Sequence, residues 1–343
     1  MYSTLVLTLV LPCLWSDGLS IGPTTTAAGL TVAPIVEANL PSELEVEGLA
    51  EAFQKGTVTI VERRQFDPER VIITSKSDRP ILFLAGQLLI GGMQDRIVAH
   101  DYLLAPKEVT LLNVYCVEEG RSSGSTDLAV APVIVSTPLR QIVSLEKPDP
   151  DALTFYDVQQ EIWSLVSRAN ERAKEQSHGS LRAAIDHTRT DVAVNSIRNQ
   201  LEGLSEWDHA VGLVYWRGGQ LVSFDRFGDH RLLARHCDAL LRGLASDTQG
   251  IPNATQTGSD PRDLLEESVS GSHRPAFTGP CFMAFWISAP SIVGTAIHLG
   301  SSRGSSTTFV HGYDLPRTGA DELSASNSAD HHERLLAFGD RRR

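Results

Sequence analysis

Clustered basic residues are what this chain most conspicuously lacks. Against 42 Asp and Glu stand only 30 Lys and Arg, a net charge of −12, and no block of them interleaves with aromatics, which make up 6% of the chain. Neutralising a phosphate backbone takes grouped Lys and Arg, so nucleic acid is not an expected partner. Cysteines are scarce too: four stand at 13, 116, 237 and 281, with no CxxC pair. Neither a zinc knuckle nor a disulfide framework is indicated, although one disulfide stays open for an exported chain. The apolar stretch from Leu5 to Trp15 is shorter than the about 20 residues that a spanning helix takes, so no transmembrane segment is expected. It has signal-peptide length but no Lys or Arg before it, and Trp15-Ser16 is a poor cleavage site. A signal peptide and an N-terminal strand both stand for residues 1–20, and with them a cytoplasmic or an exported location.

Metal and cofactor motifs are likewise missing. His230, His236 and Cys237 fall on one helical stretch, but the six-residue spacing of the two histidines places them on different faces. His331-His332-Glu333 belongs to a polar tail, and no Walker loop or dinucleotide fingerprint occurs. No metal is expected and no cofactor is indicated. Asn253-Ala254-Thr255 is a formal glycosylation sequon, meaningful only on a glycosylating export route.

What is present has mixed periodicity. Short β-branched runs, Leu30 to Val36, Val58 to Glu62 and Val71 to Thr74, read as strands. Glu43 to Gln54 has helical spacing, and Gly56 stops it. Asp151 to Gln176 is a clear amphipathic helix through Phe155, Val158, Ile162, Leu165 and Val166. A second helix, Asp191 to Leu204, follows a linking segment, Gly179 to His187. Ala210 to Trp216 and Gln220 to Asp225 flank Arg217-Gly218-Gly219 as a hairpin, and Asp229 caps a helix burying Leu232, Leu233, His236 and Leu240. Pro132, Pro138, Pro148 and Pro150 mark an edge strand and a connection. Three more strands close the chain: Cys281 to Ile287, Val293 to Leu299 and Thr307 to Tyr313. The predicted class is α+β, a mixed or antiparallel sheet core with about three packed helices. It forms a single domain over residues 21–317, with a polar insertion at 246–280 and a disordered tail at 318–343.

The stretch from Arg79 to Arg121 organises the rest. Two apolar runs end at Gly86 and at Gly91-Gly92, the polar triplet Gln94-Asp95-Arg96 follows, and Cys116 to Arg121 closes the next strand. Polar clusters at the ends of neighbouring strands can aim side chains at one space. Gly91 and Gly92 would let a ligand approach the backbone, Arg96 and Arg121 would hold an anion, and Gln94 would orient it. Asp95 and Glu118 are the candidate catalytic acid/base groups. Cys116 is a candidate thiol nucleophile, with His100 the nearest histidine in sequence. The bland alternatives are a structural Asp95–Arg96 ion pair, a buried small hydrophobe at Cys116 and a salt-bridged turn at Glu118 to Arg121.

These residues also carry a resemblance. Asp78-Arg79-Pro80, Ala85-Gly86, Gly91-Gly92, Gln94-Asp95-Arg96, Cys116-Val117-Glu118 and Gly120-Arg121 resemble the pattern of the ARG and rhodanese-phosphatase-superfamily-associated protein domain family, known chiefly from bacteria. The resemblance extends over Leu30 to Leu315, through the hairpin Leu213 to Asp225 with Phe227 and through Thr308-Phe309-Val310-His311. Association of that family's genes with ADP-ribosylglycohydrolases and rhodanese-phosphatases implies a link to ADP-ribose or NAD-derived metabolism, without an established reaction. This chain departs from the family at Ser122 and Ser123, where the family usually carries Trp after Gly-Arg. Two functions from different classes therefore stand: a domain binding or processing an ADP-ribosyl or other nucleotide-phosphate ligand, and a non-enzymatic interaction or scaffold protein whose polar clusters are structural. Enzymatic status and oligomeric state stay open.

Overall fold

The computed structural model describes residues 18–38, 44–63, 67–121, 124–144, 154–173, 180–185, 188–248, 250–257, 259–300 and 306–314. Residues up to 17, on which the signal-peptide and N-terminal-strand alternatives fall, Ser122 and Ser123, and the tail from 315 lie outside them.

Strands β1 (Leu19–Ile21) and β2 (Thr25–Ala27) both line one edge of β3 (Leu30–Glu37). A run of short elements follows: β4 (Glu47–Gly48), α1 (Leu49–Gln54), β5 (Val58–Glu62), β6 (Arg70–Ser75), β7 (Ile81–Phe83), β8 (Gln87–Gly91), β9 (Arg96–Val98), β10 (Tyr102–Leu104), β11 (Val109–Cys116) and β12 (Asp127–Ile134). Helices α2 (Thr137–Ser144), α3 (Phe155–Ala173), α4 (Leu181–Ile185) and α5 (Thr188–Glu202) come next, then the hairpin β13 (Ala210–Arg217) and β14 (Gln220–Phe227). Helices α6 (His230–Asp247) and α7 (Pro261–Ser270) precede β15 (Ser272–Gly279), β16 (Phe282–Ala289), β17 (Ile292–Leu299) and β18 (Ser306–Asp314).

These strands form two large bodies. Six close into a barrel in the order β11-β6-β5-β12-β8-β9, and nine form an antiparallel sheet ordered β1-β3-β13-β14-β18-β17-β16-β15, with β2 beside β3. A three-stranded sheet, β10-β7-β4, completes the set and holds the β4–β7 parallel pair. The α+β expectation of a few helices on one core is thereby corrected: the protein is mostly β. Several strands were invisible in sequence because they are only three residues long or polar, and partners far along the chain stabilise them. β12 differs: the Pro132 segment reads as an edge strand because proline cannot donate to a ladder, yet β12 lies between β5 and β8 in the barrel. The register of β12 against β8 shifts between Val130 and Ile134, and the Gln87 amide donates to the carbonyls of Ala131 (2.7 Å) and Val133 (3.1 Å) inside that irregularity. A side chain thus satisfies carbonyls that the irregular ladder leaves without backbone donors.

The polar stretch 246–280 carries α7 and β15. Asp260 caps α7 by accepting from the Arg262 N–H, Pro261 begins it, and Leu264 and Leu265 are buried against the sheet. On the other face of the sheet, α5 and α6 bury Val194, Ile197, Leu201, Leu232, Leu233, Leu240 and Leu241, each contributing roughly 1.5–3 kcal/mol. Asp229 fixes the start of α6, accepting from Leu232 N–H (2.8 Å) through one oxygen and from Leu44 N–H (2.6 Å) through the other. The two-residue β13–β14 turn is Gly218-Gly219, with φ of +55° and +86°, the left-handed pair that a tight hairpin of this twist requires. A Cβ on Gly219 would also come within 2.3 Å of the Thr255 carbonyl.

The barrel is filled by Leu49, Val58, Ile60, Val71, Ile73, Phe83, Leu89, Val98, Leu112, Val114 and Leu128. Leu88, Ile97, Tyr115 and Val117 pack instead against α2, α3 and α4, so β8, β9 and the end of β11 from Val114 are covered on both faces. Burial on both faces matters for the site, because every polar group at those strand ends must find a partner inside the protein.

Candidate functional site

The two polar clusters meet. Arg96 on β9 stands opposite Cys116 on β11, and the ladder continues as Val117 N–H donates to the Asp95 carbonyl (3.0 Å). The register therefore brings Gln94-Asp95-Arg96 against Cys116-Val117-Glu118, two segments that are remote in sequence.

Arg96 is fully buried. Its guanidinium donates to Glu62 Oε1 (3.1 and 3.3 Å), to the Pro68 carbonyl (2.8 Å) and to Cys116 Sγ (3.0 Å). Cys116 in turn donates its thiol proton to Gln94 Oε1 (2.9 Å). Burial pushes that thiol's pKa up against the opposing pull of Arg96, so the sulfur is held protonated rather than as a nucleophilic thiolate. Gln159 of α3 brackets the Cys116 backbone, accepting from its N–H (2.9 Å) and donating to its carbonyl (2.7 Å) as a strand partner would. Gln94 also donates to the Glu118 carbonyl (3.2 Å).

Arg121 is the more open of the two arginines, its side chain 30% exposed. It donates to the carbonyls of Gly91 (3.1 Å) and Gly92 (2.9 Å), to Asp95 Oδ1 (3.1 Å) and to Glu118 Oε2 (2.7 Å). The glycine amides are engaged inward as well: Gly91 N–H on Asp95 Oδ1 (2.9 Å) and Gly92 N–H on the Asp127 carbonyl (3.0 Å). Gly91 and Gly92 have φ of +101° and +57°, and a Cβ on Gly92 would meet Glu62 Oε1 at 2.8 Å. Here the glycine pair turns its carbonyls toward a cation. Glu118 also accepts from Asp95 N–H (3.2 Å), with its carboxylate 17% exposed. Glu62, Asp95 and Glu118 are thus interleaved with Arg96, Arg121 and, from α4, Arg182, whose Nε lies 3.8 Å from Asp95 Oδ2. Glu62, Gln159 and Arg182 gave no sequence signal, since no motif spacing links them to the clusters.

A second polar network lies between barrel and sheet, which sequence reasoning touched only at Asp225 and His311. Arg140 of α2 forks onto Asp225 of β14 (2.7 and 2.9 Å) and donates to the Ala85 carbonyl (3.1 Å). Its Nη2 lies 3.3 Å from His311 Nδ1, and that nitrogen lies 3.1 Å from Asp101 Oδ2. Asp101 further accepts from Ala85 N–H (2.8 Å) and from the Thr295 hydroxyl (2.7 Å). Burial would raise the Asp101 pKa, but His311 and Arg140 outweigh it and hold the carboxyl below the usual range. Burial first, then the Asp225 charge, pushes the Tyr215 phenol well above its ordinary value. All of these groups are buried, so the network joins the two bodies and offers no face to solvent. Among the described residues no group of three or more His, Cys, Asp and Glu is placed to hold a metal ion, and no helix is long and apolar enough to cross a membrane.

A closed barrel ending in two interlocked ion clusters, buttressed by an antiparallel sheet, is the class of domain to which the fold and site belong. The chain belongs to the family of the ARG and Rhodanese-Phosphatase-superfamily-associated Protein domain, whose model matches residues 18–277. No curated protein and no solved structure matches it. The matched span ends within β15, so Thr295 and His311 lie beyond it.

Proposed function

We propose that this domain binds an ADP-ribosyl, NAD-derived or other nucleotide-phosphate ligand at the polar mouth where Gln94, Asp95, Glu118 and Arg121 meet. The family's association with ADP-ribosylglycohydrolases and rhodanese-phosphatases supplies the ligand class. One observation carries the reading: a partly exposed side chain, Arg121, whose guanidinium is held rigid by two backbone carbonyls and two carboxylates at a strand end. A cation fixed in this way meets an anion with little further loss of side-chain freedom. Glu118 would accept from a ligand hydroxyl or act as the acid/base group if the ligand is processed, with Asp95 behind it. Arg96, Gly91, Gly92 and Cys116 would form the framework that sets these groups in place.

Isothermal titration of the full chain with ADP-ribose, NAD and ADP tests this. Binding that weakens at least about tenfold in Arg121→Gln is expected, as for loss of one charge-assisted contact. No heat with any of the three would end the proposal. A second reading, a non-enzymatic interaction or scaffold protein, is favoured by the complete burial of Arg96 and its pairing with Glu62. It predicts that Arg121→Gln lowers the melting temperature and alters no ligand interaction.

A further inference from the structure

Helix α4 has the sequence character of a linker, yet it closes one side of the site. Ser180 bridges to Glu118, and Leu181 N–H donates to the Val117 carbonyl (3.2 Å), extending the end of β11. Leu181 and Ile185 are buried with Tyr115, Val117, Val158 and Ile162, and α4 also touches α6. Arg182 forms a direct ion pair with Asp95, Nε to Oδ2 at 3.8 Å, while its own side chain is 53% exposed. Beneath it Asp95 is 1% exposed, so a candidate acid/base group is shut away from solvent.

Two features mark this closure as reversible. Five residues do not hold a helix by themselves, so α4 keeps its shape through its docked side chains. Asp95 Oδ2, moreover, is buried without a hydrogen-bond partner, since a guanidinium nitrogen at 3.8 Å supplies charge but no hydrogen bond. Buried carboxylate oxygens ordinarily accept at least one. Lifting α4 lets water supply it, which offsets part of the lost burial of Leu181 and Ile185. Asp95 itself stays in place, because its Oδ1 accepts from Gly91 N–H (2.9 Å) and from Arg121 (3.1 Å), neither of which belongs to α4.

We infer that α4 is a strap over the mouth, closed on Asp95 in this structure and lifting as a unit while barrel and sheet stay folded. The inference rests on the reading of Asp95 as an acid/base group of that mouth and adds its regulation. Asp95 Oδ2 meets water or ligand only with the strap up, whereas Arg121 is partly open with the strap down.

Carboxyl labelling of the full chain with a carbodiimide and glycine ethyl ester, mapped residue by residue by mass spectrometry, tests this without any ligand. Asp101, 3% exposed in the network between barrel and sheet, is the reference that reacts only on wider unfolding. Asp95 is expected to react at least about tenfold faster than Asp101 in wild type, through local opening. Leu181→Ala should speed Asp95 at least about tenfold more, and Arg182→Gln about twofold to fivefold. Ile73→Val, in the barrel core, separates strap from fold: it should speed Asp101 about twofold to tenfold and leave Asp95 unchanged. The strap is overturned if Asp95 and Asp101 react at one rate, if Ile73→Val speeds both alike, or if neither Leu181→Ala nor Arg182→Gln moves Asp95. Since no ligand enters, a strap that lifts stands even where ADP-ribose gives no heat, and one that never lifts falls even where ADP-ribose binds.

Discussion

Arg140 and Asp225 stand 85 residues apart in sequence and meet as a forked pair, both nitrogen–oxygen distances under 3 Å, between the barrel's helix α2 and strand β14 of the sheet. The two charges are enclosed together, so each is acceptable only because the other is there. Asp225→Asn or Arg140→Met alone is predicted to destabilise the fold by about 3–5 kcal/mol, since an unpaired buried charge remains. The double replacement Arg140→Met with Asp225→Leu should restore most of that loss. Urea unfolding of the three variants checks this; additive losses in the double variant would show that the pair is not coupled.

Acid should weaken the fold through buried histidines before it reaches the carboxylates. Burial pushes His236 down from 6.5 to about 4, and His100 and His298 behave alike. The unfolded chain takes up these protons near pH 6.5 and the native state near pH 4, so stability is whole above about 6.5 and declines as pH falls to about 4. For His236 alone the decline amounts to about 3 kcal/mol. Urea midpoints measured at pH 7.0, 6.0 and 5.0 should fall steadily, and His236→Gln should flatten the slope. A midpoint constant over that range would refute the prediction.

The described thiols should differ in reactivity. Burial pushes Cys237 up to about 12 and Cys281 up to about 11, and raises Cys116. Cys116 and Cys237 are buried, whereas Cys281 is only partly so, its sulfur near the Leu103 carbonyl at 3.6 Å. Iodoacetamide on the native protein at pH 8, followed by peptide mapping, should label Cys281 first, with Cys116 and Cys237 labelled only after denaturant is added. Early labelling of Cys116 would instead restore its candidacy as a nucleophile.

The strands after the family-matched span should be indispensable. β18 lies between β14 and β17 and contributes His311 to the network around Asp101. A chain ending at residue 300 loses that central strand, exposes two ladder edges and leaves Asp101 without His311. It should lose cooperative thermal unfolding by circular dichroism. A soluble truncated chain with a sharp transition would mean that the sheet tolerates the loss.

A small substitution gives a sharper test of helix–barrel packing. Gly243 of α6 lies so close to the end of β12 that an added Cβ would sit 1.7 Å from the Ile134 carbonyl. Gly243→Ala should lower stability by at least about 1 kcal/mol, although alanine favours a helix interior by about that much. Raised thermal stability in Gly243→Ala would show that the helix shifts freely.

Much of the local structure was readable beforehand. Val58 to Glu62 is a strand with the bounds its β-branched run gave, the Gly218-Gly219 hairpin formed where two glycines permit φ above zero, and Asp229 caps the helix whose leucines had the right spacing. The short strands at Arg96–Val98 and Tyr102–Leu104 were not readable, because three residues carry no measurable period. The strand around Pro132 reads as an edge strand, because proline cannot donate to a ladder, whereas β12 lies between β5 and β8, with Gln87 donating to its free carbonyls.

The site divides along the same line. Sequence alone determined that Gln94-Asp95-Arg96 and Cys116 to Arg121 end apolar runs, and with them which residue types gather at the mouth. Only the tertiary structure decided that Arg96 is enclosed on Glu62, that Arg121 is the arginine left partly open, and that Arg182 and the Arg140–Asp225 pair enter at all. Periodicity along a chain reports which face a side chain takes; the partner across a ladder or between two packed bodies depends on strand order and register, which distant segments set together.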